Sequence, residues 1–143
     1  MLRDAASRRM YAYSLLMIPR QHFRILCVDD HEAVLQLMDS SLKESGYDVE
    51  TATNGFAALV KVNRGPDHLQ LIITDIRMPG MDGFQLIEQS RNAGYSGPII
   101  VYAASIGSDA RQRLRELRVA RIIEKPARSG EILAAIRESQ HSF

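Results

Sequence analysis

The sequence predicts an α/β fold, a doubly wound five-stranded parallel sheet with helices on both faces, and three observations carry that expectation. Apolar runs of strand length alternate with stretches of helical spacing from residue 23 to residue 139. The first, third and fourth of these runs are continuously apolar, as strands buried on both faces must be. Residues placed to start and stop each element separate the runs, so that the pattern reads as five successive strand-helix units.

In chain order, FRILCVDD, starting at Phe23, is a short apolar strand that ends in acids. Residues 31–45 then carry Ala33, Val34, Leu37, Met38 and Leu42 at the spacing of one helical face, and Gly46 ends that helix. Asp48 to Thr51 is a short strand, and Phe56, Leu59 and Val60 mark a second helix closed by Arg64-Gly65-Pro66. LQLIITD, ending at Asp75, is the third strand, and a third helix runs from about Asp82 to Asn92 and stops at Gly94. Pro98 opens the strand PIIVYA, a fourth helix runs from Ser108 to Leu117, and RIIEK is the fifth strand. SGEILAAIRESQ closes the pattern as a fifth helix, with Ser129 as its N-cap and Ile132, Leu133 and Ile136 on its inner side. Five such units give a flavodoxin-like sheet of strand order 2-1-3-4-5.

The chain has 143 residues, one domain's worth, with 45% hydrophobic and 24% charged residues, an ordinary balance for a globular protein. A formal charge of +1 gives no reason to expect nucleic acid or a membrane as partner. The single Cys27 cannot form an intramolecular disulfide, which fits a reducing compartment. No apolar stretch approaches the length of a membrane span. MYAYSLLMI, residues 10–18, imitates a signal-peptide core, but Pro19-Arg20-Gln21 supplies no small-residue cleavage site. Residues 1–22 are therefore expected to be a loosely ordered N-terminal extension, with Met10 or Met17 as alternative starts, or a short helix packing on the domain or on a second copy.

In a sheet of this order, ligands sit at the carboxyl ends of the strands, near the point between strands 1 and 3 where strand order reverses. Asp29 and Asp30 end the first strand and Asp75 ends the third, so three carboxylates converge on one crevice. Two unit charges about 4 Å apart repel by about 4 kcal/mol at an effective dielectric of about 20, so an ionised cluster calls for a cation. Hard oxygen ligands with few side chains favour Mg²⁺, which keeps waters and accepts a phosphate oxygen. Lys125, at the end of the fifth strand and followed by Pro126, adds a positive charge on the same edge. Carboxylates, Mg²⁺ and a lysine together make a phosphoryl-transfer site. Taken singly, Asp29 or Asp30 could cap the first helix and Lys125 could be a solvated strand end; their coincidence at one edge argues for function. Asp82 is read as the cap of the third helix, and His31 as a surface helix residue rather than a ligand.

VDD at 28–30, TDIRMPGMDG at 74–83 and EKP at 124–126 occur in the order of the motifs of the bacterial response-regulator receiver domain, and the chain resembles that family over about residues 23–139. The resemblance implies that Asp75 is the phosphoacceptor and that Asp30 and Asp75 are direct Mg²⁺ ligands. It also implies that Asp29 acts through water, that the Arg77 carbonyl completes the protein ligands, and that Lys125 contacts the phosphoryl group across a cis Lys125-Pro126 bond. A haloacid-dehalogenase phosphatase also places a nucleophilic Asp at a strand end, but it needs a second Asp two residues later, where this chain has Arg77.

The sequence departs from the family at the switch positions. The Ser or Thr that ends the fourth strand in the family is Ala103, and the aromatic residue three before the lysine is Ile122. Ser105 lies two residues beyond Ala103 and reaches the phosphoryl site only if its loop folds back. Arg118-Val119 replaces the usual Gly-Ala pair before the fifth strand. The resemblance implies a cytoplasmic, single-domain member of a two-component system, phosphorylated by a histidine kinase or phosphotransfer protein and signalling by protein contacts. Phosphoryl acceptance would be self-catalysed, so the chain is not classed as an enzyme. The alternatives are a pseudo-receiver that docks proteins independently of phosphorylation, or the receiver part of a longer regulator. Arg111, Arg115 and Arg118 fall within about 60° on a helical wheel at about 100° per residue, a candidate face for a downstream acidic partner.

Overall fold

The computed structural model describes residues 22–141, so the expected N-terminal extension lies, apart from His22, outside the described residues. Among the described residues ten elements alternate. They are β1 (Arg24–Val28), α1 (Glu32–Glu44), β2 (Asp48–Ala52), α2 (Gly55–Val62), β3 (Leu71–Thr74), α3 (Gly83–Asn92), β4 (Ile99–Ala103), α4 (Ser108–Glu116), β5 (Arg121–Glu124) and α5 (Ser129–His141). All strand pairs are parallel and the sheet order is β2-β1-β3-β4-β5, as the sequence predicts.

The two-residue period of the strands divides the core between two faces. Leu26, Val28, Ile72, Ile99, Val101 and Ala103 face one side, where Ala58, Val62, Leu86, Ile87 and Leu114 of α2, α3 and α4 cover them. Ile25, Cys27, Leu71, Ile73, Ile100 and Ile123 face the other, beneath Leu35, Met38 and Leu42 of α1 and Ile132, Ala135 and Ile136 of α5. With both faces covered, the central strands have no place for polar alternation, which explains their uninterrupted apolar runs. Among the described residues no helix is long and apolar enough to cross a membrane.

Two helices turn a different face inward from the one their most hydrophobic residues suggest. In α1, Leu35, Met38 and Leu42 are buried, whereas Ala33 is exposed and Leu37 is 74% exposed. In α2, Ala58 and Val62 are buried and Leu59 is half-buried, while Phe56 and Val60 are exposed. Small side chains fill the inner face of α2, and its first turn is pressed against the loop before α3: a Cβ on Gly55 would stand 2.7 Å from that of Met81. Helix α5 opens at Ser129 itself, because the Arg128 carbonyl accepts from the Glu131 and Ile132 N–H groups. The capping position therefore falls on Arg128, one residue before the one expected.

The α3 start agrees with expectation: Asp82 and Gln85 form a reciprocal capping box, satisfying two donors that the first turn leaves free. Helix α4 ends at Glu116, and Arg118 stands beyond it at φ 58°. There the Val119 N–H reaches the Leu114 carbonyl and the Arg118 N–H reaches that of Arg115, the two bonds of a Schellman closure. The wheel that grouped Arg118 with Arg111 and Arg115 assumed a helix continuing through 118, and the chain reverses before that point.

Candidate functional site

The carboxyl edge of the sheet collects the acids because β1 and β3 are neighbours and end in register. Val28 pairs with Thr74, the Asp75 N–H donates to the Val28 carbonyl at 2.9 Å, and the Asp29 N–H donates to that of Ala52 at 3.2 Å. The two acids that follow these strands are thus held by the ladder itself, and both are buried, Asp29 at 2% and Asp75 at 6% exposure. Buried carboxylates are costly without partners, and each here has its own. Asp75 Oδ1 accepts from the Ile76 N–H at 2.7 Å, and Asp29 Oδ1 accepts from the His31 N–H at 2.9 Å.

Lys125 bridges the pair. Its Nζ lies 2.5 Å from Asp29 Oδ2 and 3.1 Å from Asp75 Oδ2, and 5.4 Å from the centre of the Tyr102 ring. Burial by itself would lower the ammonium pKa, but hydrogen bonds to Asp29 and Asp75, helped by their charge, outweigh it and hold the group above its ordinary value. The lysine is fixed along the backbone as well: its N–H donates to the Ala103 carbonyl at 2.8 Å, and the following Lys125-Pro126 bond is cis, as the resemblance implied.

Asp30 differs from the other two. Its Oδ1 is buried and accepts no hydrogen bond among the described residues; His31 Nδ1 stands 3.2 Å away, but the ring bonds to Asp29 Oδ1 at 3.1 Å. Asp29, Asp30, His31 and Asp75 each offer a ligand atom, all within 4.8 Å of one another. A carboxylate oxygen buried without a donor, among two further acids, suits a hard divalent cation, so the residues present fit Mg²⁺. His31, set aside from sequence, is exposed and opens α1, yet its ring lies against both acids. The adjacency D-D-H is the only sequence signal for it, and a helix-start residue gives no hint of where its ring turns.

A cavity of about 360 Å³ opens over this edge, lined by Asp75, Lys125, His31, Arg77, Ala104 and Ser105. Ala103 is not among the lining residues: it is buried on the α2–α4 side of the sheet with Val101, and Ile122 packs half-buried against the same cluster. Ser105 sits at φ 51°, so the chain turns back just after β4 and brings this residue, rather than Ala103, to the cavity. That left-handed residue is the fold-back that the sequence left open, and a serine there carries no signal of it. Arg111 is tied inward: its Nε donates to the Ile106 carbonyl, and its guanidinium pairs with Glu124 at 3.6 Å. Arg115 is exposed, and its side chain bonds, among the described residues, only to Gln112.

The chain is similar to known proteins. The family model described as the response regulator receiver domain matches residues 25–137. The sensor histidine kinase RcsC of Escherichia coli is 32% identical over 102 residues, 71% of this chain but 10% of that protein. Protein PilG of Pseudomonas aeruginosa is 31% identical over 122 residues, 84% of this chain and 89% of its own length. The chain thus spans about a tenth of the sensor kinase and most of the second relative. Among solved structures, the Vibrio cholerae chemotaxis protein CheY4 superposes with a TM-score of 0.77 at 26% identity, covering 83% of this chain and 99% of that one. With its strand order, its acids and a family match spanning nearly every element, the chain belongs to the response regulator receiver family of two-component signalling.

Proposed function

We propose that this receiver accepts a phosphoryl group on Asp75 from a phosphohistidine of a histidine kinase or phosphotransfer protein. The observation that carries the reading is the junction at one sheet edge of Asp75, Lys125 and a carboxylate oxygen of Asp30 that accepts no hydrogen bond among the described residues. Asp29, Asp30, Asp75 and the Arg77 carbonyl would hold Mg²⁺, His31 standing beside them. When bound, Mg²⁺ supplies charge neutralisation for the incoming phosphoryl oxygens.

The chain's own groups do the rest. The Ile76 N–H holds Asp75 Oδ1, which leaves Oδ2, on the Lys125 side, to form the new O–P bond. The P–N bond of the donor breaks as it forms; the imidazole keeps the electron pair and takes a proton from solvent. Lys125 is the positive point charge that can follow the phosphoryl oxygens, and its raised pKa keeps it charged at neutral pH. The acceptor catalyses its own modification and, with water in place of the imidazole, its own hydrolysis, so no turnover of an external substrate is involved. Signalling then passes through protein contacts in the cytoplasm, with Arg115 and the tethered Arg111 on α4 offering a basic docking face to an acidic partner.

Incubation with Mg²⁺ and acetyl phosphate should yield a single phosphoryl adduct by intact mass that Asp75→Asn abolishes. No adduct from either acetyl phosphate or a panel of histidine kinases would replace this reading with a phosphorylation-independent docking module.

A further inference from the structure

At the opposite end of the sheet, where β4 and β5 begin, a cavity of about 310 Å³ is lined by Arg91, Arg118, Arg121, Ser96, Ser139 and Glu138. Three guanidinium groups thus share one recess with one carboxylate, and that carboxylate is already paired with Arg121. Arg91 is half-buried and forms no ion pair among the described residues. Its Nη1 donates to the Tyr95 and Gly97 carbonyls at 3.0 and 2.6 Å, and its guanidinium lies 5.7 Å from the Tyr95 ring centre. Burial lowers its pKa from the ordinary value, against the opposing pull of Tyr95. Its hydrogen-bond partners are neutral carbonyls, so no counter-anion among the described residues offsets the charge of this half-buried guanidinium.

Arg118 adds an independent observation. Its exposed side chain makes no hydrogen bond or ion pair among the described residues, and the residue occupies the left-handed position that closes α4, at φ 58°. The turns that close α1 and α3 use Gly46 and Gly94 at φ 92° and 98°. A side chain at such a position costs free energy that glycine does not, and backbone strain of this kind is retained where the side chain has a use.

We propose that this recess binds a small di-anionic ligand, a phosphate or diphosphate ester, through Arg91, Arg118 and Arg121. Guanidinium forks match phosphate oxygens bidentately, and the recess is large enough for such a molecule but not for a folded partner. The site is remote from Asp75 and does not rest on the phosphoacceptor reading.

The probe is inorganic pyrophosphate, titrated at low ionic strength without Mg²⁺ and followed by calorimetry and thermal melting. Wild type should be stabilised in a saturable manner. Arg118→Gly, which suits the left-handed turn, should melt higher than wild type without ligand yet bind about tenfold more weakly or worse, the loss of one charge-assisted contact. Arg121→Gln should weaken binding as well, whereas Lys125→Ala, at the other end of the sheet, should keep it. Absence of saturable binding to wild type, an equal response from Arg118→Gly, or loss of binding in Lys125→Ala would each overturn the proposal.

Discussion

Asp30 and Cys27 show how differently two ionisable groups behave once the sheet has formed. Asp30 Oδ1 is buried without a donor, so a cation that binds only the folded chain should stabilise it by mass action, by about 2.7 kcal/mol at a hundredfold excess over its Kd. The melting temperature should therefore rise with millimolar Mg²⁺, and Asp30→Ala should abolish the rise while melting at or above wild type without the metal, because removing one of three crowded charges relieves repulsion. A melting temperature indifferent to Mg²⁺ would count against the site. Cys27, fully buried on the α1–α5 side of the sheet, has its thiol pushed up from 9.0 to about 12, by burial first and by the charge of Asp39 second. In the unfolded chain the thiol ionises near its ordinary value, whereas in the folded chain it stays protonated. Its contribution to stability is thus intact below pH 9.0 and falls away as the pH climbs from 9.0 towards about 12. Denaturant midpoints against pH should consequently decline more steeply in that window for wild type than for Cys27→Ala, and thiol reagents at pH 8 should label Cys27 only on unfolding.

Helix α3 packs directly against the backbone that carries Asp75. A Cβ on Gly83 would fall 2.2 Å from the Asp75 carbonyl oxygen and 2.8 Å from the Ile76 Cα, both backbone atoms that cannot rotate aside. The first turn of α3 is pressed against the acidic strand end, and the Gly83 N–H donates to the Ile76 carbonyl at 2.7 Å. Gly83→Ala should cost about 1–3 kcal/mol by overpacking and, because the displaced atoms carry Asp75, should slow acetyl phosphate labelling markedly. Asp82→Ala, one residue earlier, removes the capping box at a cost of about 1 kcal/mol but moves no atom of the acid, so labelling should continue. Chemical denaturation alongside intact-mass kinetics separates the two; equal labelling rates would show that α3 does not fix the acceptor. Elements of this kind were legible in the sequence because their punctuation is local: Asp82, Gly46 and Gly94 act through their own backbone. The inward faces of α1 and α2 were less so. Leu37, Phe56 and Val60 lie outside while Leu35, Ala58 and Val62 lie inside, since both faces carry apolar residues at helical spacing and only the tertiary packing of each helix decides between them.

At the scale of the whole molecule, a receiver must convert a charge at one sheet edge into a changed surface, and this chain keeps the acids while lacking both side chains through which its family is expected to do so. The acids and Lys125 could be placed from sequence because strand ends are fixed by apolar runs. The positions of Ser105 and His31 at the site could not, because they depend on one left-handed φ and one ring direction. A hydrogen bond to a charged group contributes about 1.5–3 kcal/mol, whereas moving a population from about 1:99 to about 99:1 takes about 5.5 kcal/mol. On the reading that these are the switch positions, the absence of a hydroxyl at 103 would remove a large part of the switching free energy. Ala103 is buried at 2% exposure among Val101 and its neighbours, so a threonine there meets packed surroundings, and its added atoms are tolerated best if the half-buried Ile122 changes too. Ala103→Thr alone should enlarge the phosphorylation-dependent change only partly, and Ala103→Thr with Ile122→Tyr should exceed the sum of the single changes, as expected for side chains that share one cluster. Amide-shift maps with and without beryllofluoride measure this across β4 and α4. Equal perturbation of these elements in wild type and in the double variant would mean that the hydroxyl was never limiting, and that Ser105, already at the cavity, supplies the contact instead.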